Sequence, residues 1–207
     1  MGLLRNLAAG IEEHGLYFKS IGSSGAYMVP RWNFFEEIAD EIPPGARVIL
    51  ELGVGTGRLM EVVMARRDML PPDGLYIGVD CNRDSMKFIL QRRAHLTADP
   101  RVRLVTAFAQ DVRPTLDGIL RGKKIDVTVV SIPHLYLSKE DIKKMWGTVV
   151  DLSSESGRGI LYNVSRRRTL MESFWHDVRT YRTAFVHHGL PPEFEVNVGS
   201  DPRKRHP

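Results

Sequence analysis

The segment Glu51-Leu52-Gly53-Val54-Gly55-Thr56-Gly57 is the part of this sequence best suited to holding a ligand. Glycines at alternate positions let the chain turn sharply and let a ligand approach the backbone with no Cβ in the way. The acid ahead of them, Glu51, adds an acceptor or a charge at the same place. A pyrophosphate-binding loop has the spacing G-x-G-x-x-G and so needs glycine at position 58, where this chain has Arg58. A second acid, Asp80, closes the run Tyr76-Ile77-Gly78-Val79-Asp80, where a carboxylate can accept hydrogen bonds from a ribose diol. Further on, Ser131-Ile132-Pro133-His134-Leu135-Tyr136 offers a hydroxyl, carbonyls around a proline, and an imidazole. His134 is the candidate to take a proton from an ammonium group near neutral pH. Tyr136, Tyr17 and Tyr27 are candidates to line a pocket for a substrate or a cation. The plainer alternatives are a solvent-facing loop histidine and tyrosines that simply pack.

These groups need a scaffold that brings them together, and the rest of the chain supplies one. Pro43-Pro44-Gly45, Pro71-Pro72-Asp73-Gly74 and Asp99-Pro100 each stand ahead of a short β-rich run. The runs at 48–50, 75–79, 102–105, 125–130 and 159–164 are nearly continuous in apolar residues, which suits a parallel sheet buried on both faces. Helical spacing appears between them, at 58–67 and at 84–98, where Met86, Ile89, Leu90 and Ala94 form the apolar face. Further helices are expected at 138–152, at 30–41 with Pro30 in the first turn, and from the capping box Thr169-Leu170-Met171-Glu172. The alternation predicts an α/β fold with a doubly wound, mostly parallel sheet and ligands at the carboxyl ends of its strands. Residues 1–29 read as an N-terminal extension, a short amphipathic helix and a Gly/Ser loop that together make a candidate lid on a domain of 30–207. A sixth strand is expected at 194–198. A seventh is not evident: either the tail forms one weakly or the chain stops short of it.

Composition narrows the function classes. With 207 residues, 43% of them hydrophobic and 26% charged, the chain suits one globular domain with a sizeable core. The net charge of +4 is mildly basic, compatible with a polyanion or an anionic lipid surface without requiring either. The lone Cys81 excludes an intrachain disulfide framework, zinc-ligand spacing is absent, and no metal site is expected. The sequence has no run long and apolar enough for a transmembrane segment and no signal-peptide order, so a cytoplasmic location is expected. Two basic clusters stand out, Arg166-Arg167-Arg168 after the fifth strand and Arg203-Lys204-Arg205-His206 at the end. Arg166, at the ligand-facing edge, is the candidate to hold a phosphate of a lipid headgroup or of RNA, in peripheral contact with either partner.

The glycine segment with its leading acid resembles motif I of the class I S-adenosylmethionine-dependent methyltransferases, E/D-x-G-x-G-x-G, and Asp80 stands where that family places its ribose-binding acid. The resemblance covers about residues 30–200. It implies a Rossmann-like class I methyltransferase fold and S-adenosylmethionine as cofactor, held by Glu51, Gly53, Gly55, Thr56, Gly57, Asp80 and Cys81. The third family position departs from its usual Gly-Asp-Ala: this chain reads Ala107-Phe108-Ala109, with Gln110 and Asp111 beyond. Phe108 and Ala109 are then the adenine contacts, and Asp111 a substitute for the missing acid. Ser131-Ile132-Pro133-His134 is similar to the N-L-P-Y loop of rRNA adenine dimethylases and to the S-x-L-P loop of bacterial phospholipid N-methyltransferases. That implies Ser131 and Pro133 beside the transferable methyl group, with His134 and Tyr136 on the catalytic side. The expected function is N-methylation of an amine acceptor such as a phospholipid-type headgroup. The alternatives are methylation of a nucleobase amine in RNA, and a noncatalytic subunit of the same fold that binds a partner.

Overall fold

The computed structural model describes residues 34–132, 137–164, 180–184 and 194–200. Its elements run α1 (Phe34–Asp40), β1 (Val48–Leu52), α2 (Arg58–Ala65), β2 (Leu75–Asp80), α3 (Arg83–Arg92), α4 (Ala94–Thr97) and β3 (Val102–Thr106). A short 3-10 turn (Ala109–Asp111) follows, then α5 (Arg113–Leu120), β4 (Ile125–Val130), α6 (Lys139–Leu152), β5 (Ser153–Val164), β6 (Thr180–Ala184) and β7 (Phe194–Ser200). The strands form one seven-stranded sheet in the order β3-β2-β1-β4-β5-β7-β6. Strands β1 to β5 pair in parallel, and β7 lies antiparallel between β5 and β6. The doubly wound, mostly parallel sheet expected from the alternation is therefore present.

The continuous apolar runs explain the layering. Every residue of β1 is buried, because this central strand has sheet neighbours on both edges and helices on both faces. On one face Ile49, Tyr76, Val127 and Val129 pack with Ile38, Leu59, Met60 and Ile89 from α1, α2 and α3. On the other, Leu50, Leu52, Ile77 and Val79 pack with Leu116 and Leu120 of α5 and Met145 and Val149 of α6. Ser138 caps α6 as its type suggests, its Oγ accepting from the Asp141 amide at 3.1 Å.

The structure departs from the sequence reading in several places. The missing seventh strand is found, as Thr180–Ala184, hydrogen-bonded to β7 rather than formed in the tail. The helix expected over 84–98 breaks at Arg93, whose backbone leaves the helical region (φ −121°, ψ 32°). The Arg93 side chain turns inward, donating to Glu61 Oε2 from Nε at 3.3 Å and from Nη2 at 3.2 Å, and lies over the Phe88 ring. Leu90 is 57% exposed and Ala94 is exposed, so neither belongs to the core face assigned to them. Phe88 takes a core position instead. Helix α5 was not evident in the sequence, since Pro114 and Gly118 interrupt a pattern carried by Leu116 and Leu120 alone. Pro30, the extension 1–29 and the capping box at Thr169 lie outside the described residues.

Candidate functional site

The strand order reverses between β1 and β4, and the glycine loop leaves β1 at that switch point. Backbone bonds anchor the loop to both neighbours. The Gly53 and Val54 amides donate to the Val79 carbonyl at 2.8 and 3.0 Å, and the Ser131 amide donates to the Leu52 carbonyl at 2.8 Å. Gly53, Gly55 and Gly57 have φ of +89°, +52° and +79°, the left-handed region that L side chains rarely adopt. Their surroundings differ. A Cβ on Gly53 would stand 3.1 Å from the Ser131 carbonyl, so glycine lets the β1 and β4 loops meet. A Cβ on Gly57 would meet Met60 and Ile89, so this glycine serves the packing of α2 against α3. A Cβ on Gly55 would point into open space, its nearest neighbour being the Gly53 carbonyl oxygen at 4.0 Å. Thr56 and Gly57 are buried, whereas Gly53 and Gly55 keep exposed surface. The open part of the loop is thus its first half.

Asp80, at the end of β2, is held from two sides. The Gly55 amide donates to Oδ2 and the Asn82 amide to Oδ1, both at 2.8 Å. Each carboxylate oxygen keeps a further lone pair, so a fixed pair of acceptors stands beside the open side of Gly55. Burial raises the Asp80 pKa, while the amides of Asn82, Gly55 and Cys81 oppose that rise. The adjacent Cys81 thiol is exposed and free; partial burial and then the Asp80 charge raise its pKa, which disfavours the thiolate.

Glu51 occupies a different level. It is 1% exposed and accepts a short hydrogen bond from the Tyr76 hydroxyl, which is itself fully buried. Burial pushes the Glu51 carboxyl up to about 8, against the opposing effect of the Tyr76 bond and with a further rise from the Asp80 charge. The same desolvation, with the Glu51 carboxyl next to it, pushes the Tyr76 phenol well above its ordinary value. Glu51 is thus sealed within β1 against Tyr76 rather than open at the surface of the loop. Tyr76 was not singled out in the sequence. Strand alternation was the available signal, because Tyr76, Gly78 and Asp80 share one face of β2 and Glu51 pairs in register with Gly78.

The loops after β3 and β4 complete the rim. Phe108 is 58% exposed and Ala109 is buried behind it. Asp111, the substitute acid, forms a 2.6 Å ion pair with Lys144 of α6. Gln110 instead presents a buried Oε1 with no hydrogen-bond partner among the described residues. The Ser131 Oγ is buried and unpartnered in the same sense, one residue past β4. Pro133, His134 and Tyr136, together with Tyr17, Tyr27 and Arg166, lie outside the described residues. Among the described residues no group of three or more His, Cys, Asp or Glu side chains could hold a metal ion, and no helix is long and apolar enough to cross a membrane.

No protein-family model matches the chain, and no curated protein sequence matches it. Solved structures do. A TehB-like SAM-dependent methyltransferase from Corynebacterium glutamicum superposes with a TM-score of 0.61 at 15% identity, over 94% of this chain and 99% of that one. The O-methyltransferase TomG from Streptomyces achromogenes, solved in complex with SAM, gives 0.58 at 21% identity over 85% and 81%. An rRNA methylase from Streptococcus thermophilus gives 0.57 at 11% identity over 84% and 99%. Some other neighbours are longer proteins, of which this chain spans 56% and 54%. Identities this low speak to fold and not to substrate. The chain has the fold of the class I S-adenosylmethionine-dependent methyltransferases.

Proposed function

We propose that this chain is an S-adenosylmethionine-dependent methyltransferase. The observation that carries the proposal is the open side of Gly55 beside the pinned carboxylate of Asp80: a backbone cradle with no Cβ, next to two acceptors suited to a ribose diol. The residues present fit the cofactor. Gly53 and Gly55 would receive its amino-acid part, Asp80 its ribose, and Phe108 with the unpartnered Gln110 carbonyl its adenine. Arg58, at the first position of α2 and paired with Glu61 at 3.2 Å, stands where a pyrophosphate-binding loop would carry glycine. Bound there, the cofactor would supply a methyl group on a sulfonium already activated toward a nucleophile.

The protein's own task is then alignment and exclusion of water. The acceptor in this reading is an amine nitrogen, supported by the sequence Ser131-Ile132-Pro133-His134 after β4. The Ser131 hydroxyl and the carbonyls around Pro133 would orient the nitrogen lone pair. His134 would take the proton that an ammonium must lose before it can attack, and Tyr136, Tyr17, Tyr27 and Arg166 would surround the acceptor.

Calorimetric titration of the protein with S-adenosylmethionine and with NAD tests the cofactor, and Gly55→Ala makes the test specific. The added methyl meets open space in the free protein, so folding should suffer only the left-handed backbone cost of about 1–2 kcal/mol. Affinity for S-adenosylmethionine should drop at least tenfold. A well-folded wild type that ignores the methyl donor, or a Gly55→Ala variant that binds it normally, defeats the proposal.

A further inference from the structure

Two carboxyl groups stand close together at the carboxyl end of the sheet with no cation between them. Glu51 pairs in register with Gly78 of β2, and Asp80 follows two residues later on the same face of that strand. The Glu51 carboxyl is sealed, takes the Tyr76 hydroxyl as its donor, and feels the Asp80 charge through space. On its other edge β4 sets the apolar Val129 beside it, with the neutral Ser131 hydroxyl two residues further on. Helices α1, α2 and α3 cover this face with apolar residues such as Ile38, Met60 and Ile89. The cations of that layer are engaged or outside: Arg58 and Arg93 pair with Glu61, and Arg66 with Glu36 and Asp40. Arg83, Lys87 and Arg92 are exposed, and the half-buried Glu37 of α1 is a further acid. Neighbouring buried carboxyls resist ionising together, so one proton stays with the pair. Asp80 has backbone amides to hold a negative charge and Glu51 has a single phenol, which places the proton on Glu51.

A proton held in this way responds to charge brought nearby. S-adenosylmethionine carries a positive sulfur, whereas its demethylated product, S-adenosylhomocysteine, has a neutral thioether and is otherwise the same molecule. Contacts alone tell the two apart by one methyl group. Glu51 stands two residues before Gly53, which in the proposed site receives the amino-acid part that carries the sulfur. A positive charge about 10 Å from a buried carboxyl favours its ionised form on the order of tenfold, at an effective dielectric of about 20. The neutral product exerts no such pull.

We infer that Glu51 selects the methyl donor over the demethylated product through charge and without contact, giving up its proton to solvent when the sulfonium binds. Once the methyl group has left, the sulfur is neutral, and Glu51 takes a proton back from solvent. The inference rests on the proposed methyltransferase reading. Calorimetric titration of the full-length protein, in buffers of different ionisation enthalpy, counts the protons released on binding. With Glu51 titrating near 8 in the free protein, S-adenosylmethionine should release about half a proton near pH 7.5. Its affinity relative to S-adenosylhomocysteine should rise about tenfold between about pH 6 and about pH 9. Glu51→Gln should remove both effects and hold the ratio at the low-pH value. Proton movements of the cofactor's own amine, of Cys81 or of His134 persist in that variant and cancel in the difference. Tyr76→Phe is an independent check, because it keeps the carboxyl and should move the proton release to higher pH. An affinity ratio that does not change with pH, or equal proton release by wild type and Glu51→Gln, overturns the inference and leaves the methyltransferase reading standing. Folded protein that does not bind S-adenosylmethionine defeats both.

Discussion

Asp80→Ala is expected to raise the dissociation constant for S-adenosylmethionine by two powers of ten or more. Hydrogen bonds to a charged acceptor contribute about 1.5–3 kcal/mol each, and two ribose hydroxyls share this carboxylate in the proposed site. At about 1.4 kcal/mol per tenfold, losing both is a change of two to four decades. The variant also leaves the Gly55 and Asn82 amides without their acceptor, so the loop itself loosens. Asp80→Asn separates these effects, since its amide oxygen can serve one of the two backbone donors and its amide nitrogen serves neither. It should bind with intermediate affinity. The affinity of the wild type should weaken on acidification at a higher pH than for an ordinary aspartate, because burial raises the Asp80 pKa. Calorimetric titration across pH measures both effects. Unchanged binding by a folded Asp80→Ala would remove the ribose assignment.

Glu51→Gln should abolish a strong pH dependence of stability. The Glu51 carboxyl titrates near 8 in the folded protein, against 4.5 for the free group. Between those values unfolding releases a proton, so rising pH favours the unfolded chain. The contribution is complete below the unfolded value, declines through the window and is gone above about 8. At about 1.4 kcal/mol per unit, the wild type should lose on the order of 3–5 kcal/mol between pH 4 and pH 9 from this group. Glutamine cannot ionise, yet its oxygen can still accept from the Tyr76 hydroxyl. The variant should therefore show a flatter profile and exceed the wild type in stability at pH 9. Urea unfolding at several pH values checks it, and parallel profiles for the two proteins would show that Glu51 is ionised in the native state. Tyr76→Phe is the companion variant. It removes the donor and should raise the pH at which Glu51 titrates in the folded protein, so that the decline still begins at the unfolded value but extends to higher pH.

The order β-glycine loop-α and the acid closing the next strand were legible from residue types alone. The reason is local: left-handed turns require glycine, as φ of +89° at Gly53 and +52° at Gly55 bear out, and doubly covered parallel strands require unbroken apolar runs. Within the loop, however, sequence spacing treats the three glycines alike. Packing decided that Gly57 serves the α2–α3 contact, Gly53 the approach to Ser131, and Gly55 the open side. The same holds for the acids. Glu51 and Asp80 are both carboxylates at the ends of runs, yet β1 buries one under Tyr76 while the other meets two amides at the rim.

Long-range pairing explains the remaining differences. Strand β6 exists through its hydrogen bonds to β7, a partner later in the chain, and a five-residue segment has no periodicity strong enough to announce that pairing. Helix 84–98 reads as continuous until Glu61 of α2 draws the Arg93 guanidinium inward. Sequence by itself determined the fold class and the glycine loop after the first strand, because both depend on local backbone and hydrophobic demands. The tertiary structure decided which side chains are sealed and which remain open, because those depend on neighbours distant in the chain.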